Sequence, residues 1–240
     1  MTSLDDAVKS VLSTHKKSAK PLAVILAGHN GSGKSTLWYE RLSGQFQIPL
    51  VNADRMMLSI LPETRPLPGW ASTLRDKNAS WMGVAQRGVQ AFVAQAMALK
   101  VPFAMETVFS HWRQLENGEI ESKLDLIRQL QEAGYFVLLL FVGLASADLS
   151  EARVLTRVTT GGHSVPSEKL RERFPRTQRA IAEAAQVADA TVMIDNSLTL
   201  DRAFTVCRVQ LHDQTRYDCR EEPTGPSQAV LQWLEKVSPR

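Results

Sequence analysis

The chain has 240 residues, 44% of them hydrophobic and 22% charged, a balance that excludes a disordered or fibrous protein. Twenty-eight Lys and Arg stand against 25 Asp and Glu, a formal net charge of +3, too small an excess to indicate nucleic-acid binding by itself. The longest apolar run, Tyr135 to Ala145, falls short of the roughly 20 residues that span a bilayer. Asp5, Asp6 and Lys9 stand where a signal peptide would be apolar. Cys207 and Cys219, the two cysteines, form neither a metal-ligand pattern nor a disulfide framework. Together these features predict a cytoplasmic, reduced chain with no membrane and no nucleic-acid partner.

Leu22 to Ala27, behind Pro21, reads as a strand apolar on both faces, hence central. A glycine-rich turn and a helix from Gly33 to about Leu42 follow, then a second strand, Ile48 to Val51, ending at Asn52-Ala-Asp54. Four breakers between Pro62 and Trp70 predict a loop. Val84, Gly88, Val89, Phe92, Val93, Ala96 and Met97 recur at helical spacing. Pro102 to Met105 is the third strand, with Glu106 at its carboxyl end; a helix over Ile120 to Leu130 stops at Gly134. Tyr135 to Val142 is the fourth strand and Ala190 to Ile194 the fifth. Between them lie two arginine-bearing helical stretches, Ser150 to Thr160 and Glu168 to Ala188, the second broken or kinked at Pro175.

Strands alternating with helices predict an α/β fold, three layers with a central, mostly parallel five-stranded sheet. Residues 1–198 are expected to form the main domain. Residues 199–240 form a C-terminal extension packed on it, a hairpin turning at His212-Asp213-Gln214 and a short helix over Ala229 to Val237.

Gly28-His29-Asn30-Gly31-Ser32-Gly33-Lys34-Ser35 has the spacing of a phosphate-binding loop and lies where its mechanism requires, after a strand and opening a helix. Glycines let successive amide hydrogens turn inward, and the helix N-terminus adds its positive dipole end. Lys34 is expected to reach the β- and γ-phosphates of ATP and the Ser35 hydroxyl to ligate Mg²⁺. Thr36 is counted with this cradle, although packing or capping explains it as well.

Such a loop serves GTPases, motor ATPases and small-molecule kinases alike. The chain has no Asn-Lys-x-Asp base-reading motif, and its longest apolar strand ends in Gly143-Leu144-Ala145 rather than an acid. Arg153, Arg157, Arg171, Arg173, Arg176 and Arg179 flank Gly161-Gly162, a pattern suited to a lid that neutralises charge on a transferring phosphoryl group. For any single arginine a solvated helix face is the simpler account; as a group they favour the lid. Asp54 and Glu106 end neighbouring strands, where α/β sheets bind ligands. Asp54 is placed to take a proton from an attacking hydroxyl, or else to cap the helix that follows. Glu106 is a candidate for the acceptor or for the outer shell of Mg²⁺.

Gly28 to Ser35, Val51-Asn-Ala-Asp54, Met105-Glu-Thr-Val-Phe-Ser110 and Arg153 to Pro166, with its Gly-Gly-His-x-Val-Pro, occur in the order and spacing of the zeta toxin family, which the chain resembles over roughly Pro21 to Ser197. That resemblance implies a P-loop kinase of adenylate-kinase-like fold, phosphorylating the 3′-hydroxyl of UDP-N-acetylglucosamine with ATP, and an inhibitory antitoxin as partner. It implies that Asp54 is the base and that Glu106, Thr107 and Ser110 hold the acceptor. Arg157 with Arg173 or Arg176 would clamp the triphosphate, and His163 would belong to the lid turn. Val108 departs from the family's pattern, where a hydroxyl stands, and the stretch from Pro62 to Met82, with Trp70, Arg75, Lys77 and Trp81, is the chain's own loop. Both leave the acceptor open: a kinase of another metabolite, nucleoside or antibiotic hydroxyl is the alternative, and an ATP-binding regulatory switch the alternative of another class.

Overall fold

Apolar side chains on both faces of consecutive strands leave only one arrangement for them, the middle of a sheet covered on two sides. The computed structural model describes residues 2–64, 66–77, 79–159, 165–199 and 202–240. Strands β1 (Leu22–Gly28), β2 (Leu50–Val51), β3 (Phe103–Thr107), β6 (Phe136–Gly143) and β7 (Ala190–Asp195) run parallel in the order β2-β3-β1-β6-β7. A separate antiparallel hairpin, β4 (Trp112–Gln114) with β5 (Ile120–Ser122), follows β3.

The main sheet has seven strands rather than the expected five. β8 (Thr205–Leu211) pairs antiparallel with β7, and β9 (Gln214–Asp218) with β8. β7 is buried along its whole length, so its open edge would carry unpaired backbone groups; the hairpin satisfies them.

Alternation along each strand builds two cores. Ala23, Ile25, Phe103, Val137, Leu139 and Phe141 face helices α6 (Ala79–Leu99), α7 (Leu124–Glu132), α9 (Ser167–Val187) and α10 (Gln228–Val237). Val24, Leu26, Ala104, Leu138 and Leu140 face α1 (Leu4–Ser18) and the helical run after the glycine-rich turn. That run is α2 (Lys34–Leu37), a wider π-type turn at Trp38–Leu42, and α3 (Ser43–Phe46). Helix α1 went unread in the sequence, although Ser3 caps it through the amide of Asp6 and Ala7, Val8 and Val11 are buried at helical spacing.

Three further expectations change. The stretch after Pro68 is not a loop: α5 (Gly69–Lys77) and the start of α6 occupy it, the breakers ending where Pro68 accepts the first helical bond from Ser72. Pro175 does not end its helix, which runs unbroken from Ser167 to Val187 with Pro175 exposed. Val84 is exposed, and the inward face of α6 is Ala85, Val89, Val93 and Ala96. The described residues include no helix long and apolar enough to cross a membrane.

Candidate active site

The glycine-rich turn sits at the carboxyl ends of the parallel strands, shaped by close backbone approaches. A Cβ on Gly28 would lie 2.5 Å from the Val142 carbonyl oxygen, and one on Gly33, where φ is +86°, 2.7 Å from Asn196 Nδ2. Only glycine allows these contacts. The turn is held from outside by Ser150 Oγ, which donates to Asn30 O at 2.7 Å, and by Asn196 Nδ2, which donates to Ser32 O at 2.9 Å. Neither was picked out from sequence. Both act on backbone carbonyls that any residue could offer, so no side-chain pattern in the loop announces them.

Lys34 is buried, its ammonium donating to Gly28 O at 3.0 Å and His29 O at 2.9 Å. Burial lowers its pKa, the Glu106 and Asp54 carboxylates oppose that, and Arg157 adds to the lowering. His29 is sandwiched, its ring stacked 3.8 Å from Phe174 and edge-on to Phe141. Burial and the Lys34 charge bring its pKa down from 6.5 to about 3, so it is neutral at physiological pH. Ser32 Oγ is buried in the turn without a hydrogen-bond partner among the described residues, a polar atom suited to phosphate oxygen.

Glu106 is the hub. Its Oε2 accepts from Ser35 Oγ at 2.8 Å and from Asn52 Nδ2 at 2.5 Å, while Oε1 lies 4.0 Å from Lys34 Nζ. Register explains its aim: Glu106 pairs with Leu26, whose side chain belongs to the core on the α2 side. Thr107 faces the other way, and its Oγ1 accepts from the Phe109 amide in the turn that follows, where Phe109 has φ +61°. Val108 and Ser110 are half-buried there, and Thr177 of α9 donates to the Val108 carbonyl at 3.1 Å.

Asn52, not Asp54, caps α4 (Ala53–Leu58), its Oδ1 accepting from the amides of Asp54 and Arg55. Asp54 therefore stands exposed in the first turn of α4, free of capping duty. Its charge acts on both Lys34 and Arg173. Thr36 is exposed on the helical run.

The arginines divide. Arg173 is half-buried on α9 and its pKa is lowered by burial and by Arg176. Arg176 pairs with Glu172 at 3.0 Å. Arg157 is exposed on α8 (Ala147–Thr159) and felt by Lys34. Arg171 instead ties α9 to α8 through Asp148 and Glu151, both at 2.8 Å, and Arg179 lies over the Trp112 ring. Gly161, Gly162 and His163 lie outside the described residues. The carboxylates and cations so gathered fit a triphosphate with a divalent ion: Ser35 offers a hydroxyl ligand backed by Glu106.

An uncharacterised protein of Haemophilus influenzae is 26% identical over 153 residues, 63% of this chain and 91% of that one. A structure from the PezAT chromosomal toxin-antitoxin system of Streptococcus pneumoniae shares the fold, with TM-score 0.54 and 16% identity over 99% of this chain and 89% of the other. The AvrRxo1-ORF1:AvrRxo1-ORF2 complex with ATP does so at TM-score 0.61 and 13% identity, over 98% of this chain and 72% of the other. The Zeta toxin family model matches residues 5–207. That match spans most of the chain, which is a phosphotransferase and belongs to the zeta toxin family.

Proposed function

We propose that the chain transfers the γ-phosphate of ATP to a hydroxyl of a small molecule, with Asp54 as the base. The observation that carries this reading is the field around Lys34: Asp54 stands exposed in the first turn of α4, free of capping, with its charge acting on Lys34 and Arg173 together. Lys34, leaving the loop carbonyls, pairs with the phosphates, while Arg157 and Arg173 neutralise charge on the moving phosphoryl group, with Arg176 beside them. Ser35 would hold Mg²⁺, which would neutralise phosphate charge, and Glu106 orients Ser35 and through Asn52 fixes the start of α4. Asp54 accepts the proton of the attacking hydroxyl.

The family resemblance names the 3′-hydroxyl of UDP-N-acetylglucosamine as acceptor, with Glu106, Thr107 and Ser110 beside it. A second reading, another small-molecule hydroxyl, is favoured by Val108, which offers no hydroxyl and whose carbonyl is already held by Thr177. An antitoxin partner is proposed on the likeness to the PezAT toxin-antitoxin structure.

The test incubates wild type and Asp54→Ala with ATP, Mg²⁺ and either UDP-N-acetylglucosamine or a metabolite extract, and identifies products by mass spectrometry. Wild type is expected to form a phosphorylated product, while Asp54→Ala binds ATP normally and loses about 10²–10⁴-fold in transfer rate. Unchanged transfer by Asp54→Ala removes the assigned base, and ATP binding without any product from wild type favours the switch.

A further inference from the structure

Register sets the chain's two cysteines against each other. In the β8–β9 ladder Arg208 faces Asp218 and Val209 faces Tyr217; continuing that register one step toward the open end of the hairpin sets Cys207 opposite Cys219, the first residue of a short 3-10 turn. Asp218 keeps an extended backbone, φ −142° and ψ 119°, so the ladder geometry carries through to Cys219. Directly opposed residues of antiparallel strands have Cα atoms about 4.5–5.5 Å apart, inside the roughly 4.4–6.8 Å range of a disulfide. Both side chains join the same core cluster, and the Cys207 thiol donates to the Thr205 carbonyl at 3.6 Å. Both also line a cavity of about 170 Å³, walled by Asp195, Leu198, Tyr217 and Val230. Asp195 and Leu198 flank the segment whose Asn196 holds the phosphate loop.

We propose that Cys207 and Cys219 are a peroxide-reactive dithiol that takes a hydroperoxide into this cavity and closes to an intramolecular disulfide. The cavity has room for hydrogen peroxide. Cys219 attacks first: the neighbouring Cys207 thiol lowers its pKa, with the Arg220 guanidinium adding to this, whereas the nearness of Cys219 and burial raise Cys207. The Cys219 thiolate breaks the O–O bond, forming a sulfenic acid and releasing hydroxide, which takes up a proton. Cys207 sulfur then displaces the sulfenic hydroxyl, its proton leaving with that hydroxyl as water. In sum, two thiols and one hydrogen peroxide give one disulfide and two waters. The assignment is independent of the kinase reading.

The experiment treats the full-length protein with hydrogen peroxide, then with dimedone, and reads intact mass and peptide maps. Wild type is expected to lose about two daltons, with the peptides of Cys207 and Cys219 joined and no dimedone adduct. Cys207→Ser, which cannot close the bond, accumulates a dimedone-labelled Cys219, while Cys219→Ser leaves Cys207 unlabelled. Two thiols still alkylated after denaturation, at peroxide doses that oxidise free cysteine, or coupling between chains, overturns the proposal. Labelling of Cys207 in Cys219→Ser overturns the assigned attack. If either variant fails to fold, the wild-type peptide map decides alone.

Discussion

Ser35 and Glu106 lie 71 residues apart in sequence and meet at 2.8 Å, the hydroxyl of the phosphate loop donating to the carboxylate that ends β3. The same carboxylate oxygen receives Asn52 Nδ2 at 2.5 Å. One acid thus fixes the residue assigned to the metal and the residue that starts the helix carrying Asp54.

Glu106→Gln keeps the shape and removes the charge, so it leaves Ser35 less well oriented toward a divalent ion. Initial rates are expected to fall about 10–100-fold, with the Mg²⁺ titration shifted to higher concentration and ATP binding without Mg²⁺ little changed. An unshifted Mg²⁺ titration separates Glu106 from the metal.

Asn52 does two things, and two substitutions divide them. Asn52→Ala loses the cap and the Glu106 contact, and is expected to cost about 1 kcal/mol of stability in urea unfolding together with activity. Asn52→Asp keeps the cap but sets a second carboxylate against Glu106, and two such acids resist ionising together. Its stability is therefore expected to stay near wild type at low pH and to worsen as the pH rises. Equal pH profiles for Asn52→Asp and wild type contradict the contact.

His29 makes a pH prediction with a definite sign. Its folded pKa is lowered to about 3 from 6.5, so the fold holds it neutral and the unfolded chain binds its proton more readily. Stability from this group is complete above pH 6.5 and drains away as the pH falls toward 3, at a slope of up to about 1.4 kcal/mol per unit. Between pH 7 and pH 5, wild type should lose about 2 kcal/mol more than His29→Asn, read from urea midpoints.

Two neighbouring arginines should behave differently. Arg171 makes exposed ion pairs with Asp148 and Glu151, worth about 0–1 kcal/mol, so Arg171→Ala is expected to shift the unfolding midpoint slightly and leave kcat within a few-fold. Arg173 stands half-buried under the influence of Asp54, and Arg173→Ala is expected to lower kcat by about two orders of magnitude with little loss of stability. Reversed outcomes in steady-state kinetics place the clamp elsewhere.

Much of the site could be read locally. Gly28 to Ser35 is recognisable because its glycines and Lys34 act within one turn of chain, and the strands around it declare themselves because both their faces are apolar. Asp54 and Glu106 were legible as acids at strand ends. Their division of labour was not: whether Asp54 or Asn52 caps α4 depends on which oxygen reaches the free amides, and either side chain is suited to it. The C-terminal hairpin was visible from its turn, but its place on the edge of β7 was not, because alternation reveals a buried face without naming the neighbour.

Sequence alone therefore determined the glycine-rich turn after β1, the alternation of strands and helices, and the family, all carried by spacings of a few residues. The meeting of Ser35, Asn52 and Glu106, the stacking of Phe174 on His29, and the opposition of Cys207 and Cys219 were decided by strand order, helix packing and register. A slip of one residue in β3 would turn Glu106 to the opposite face of the sheet and Thr107 toward Ser35. Such a choice is made by the packing of two cores at once, which no local stretch of chain contains.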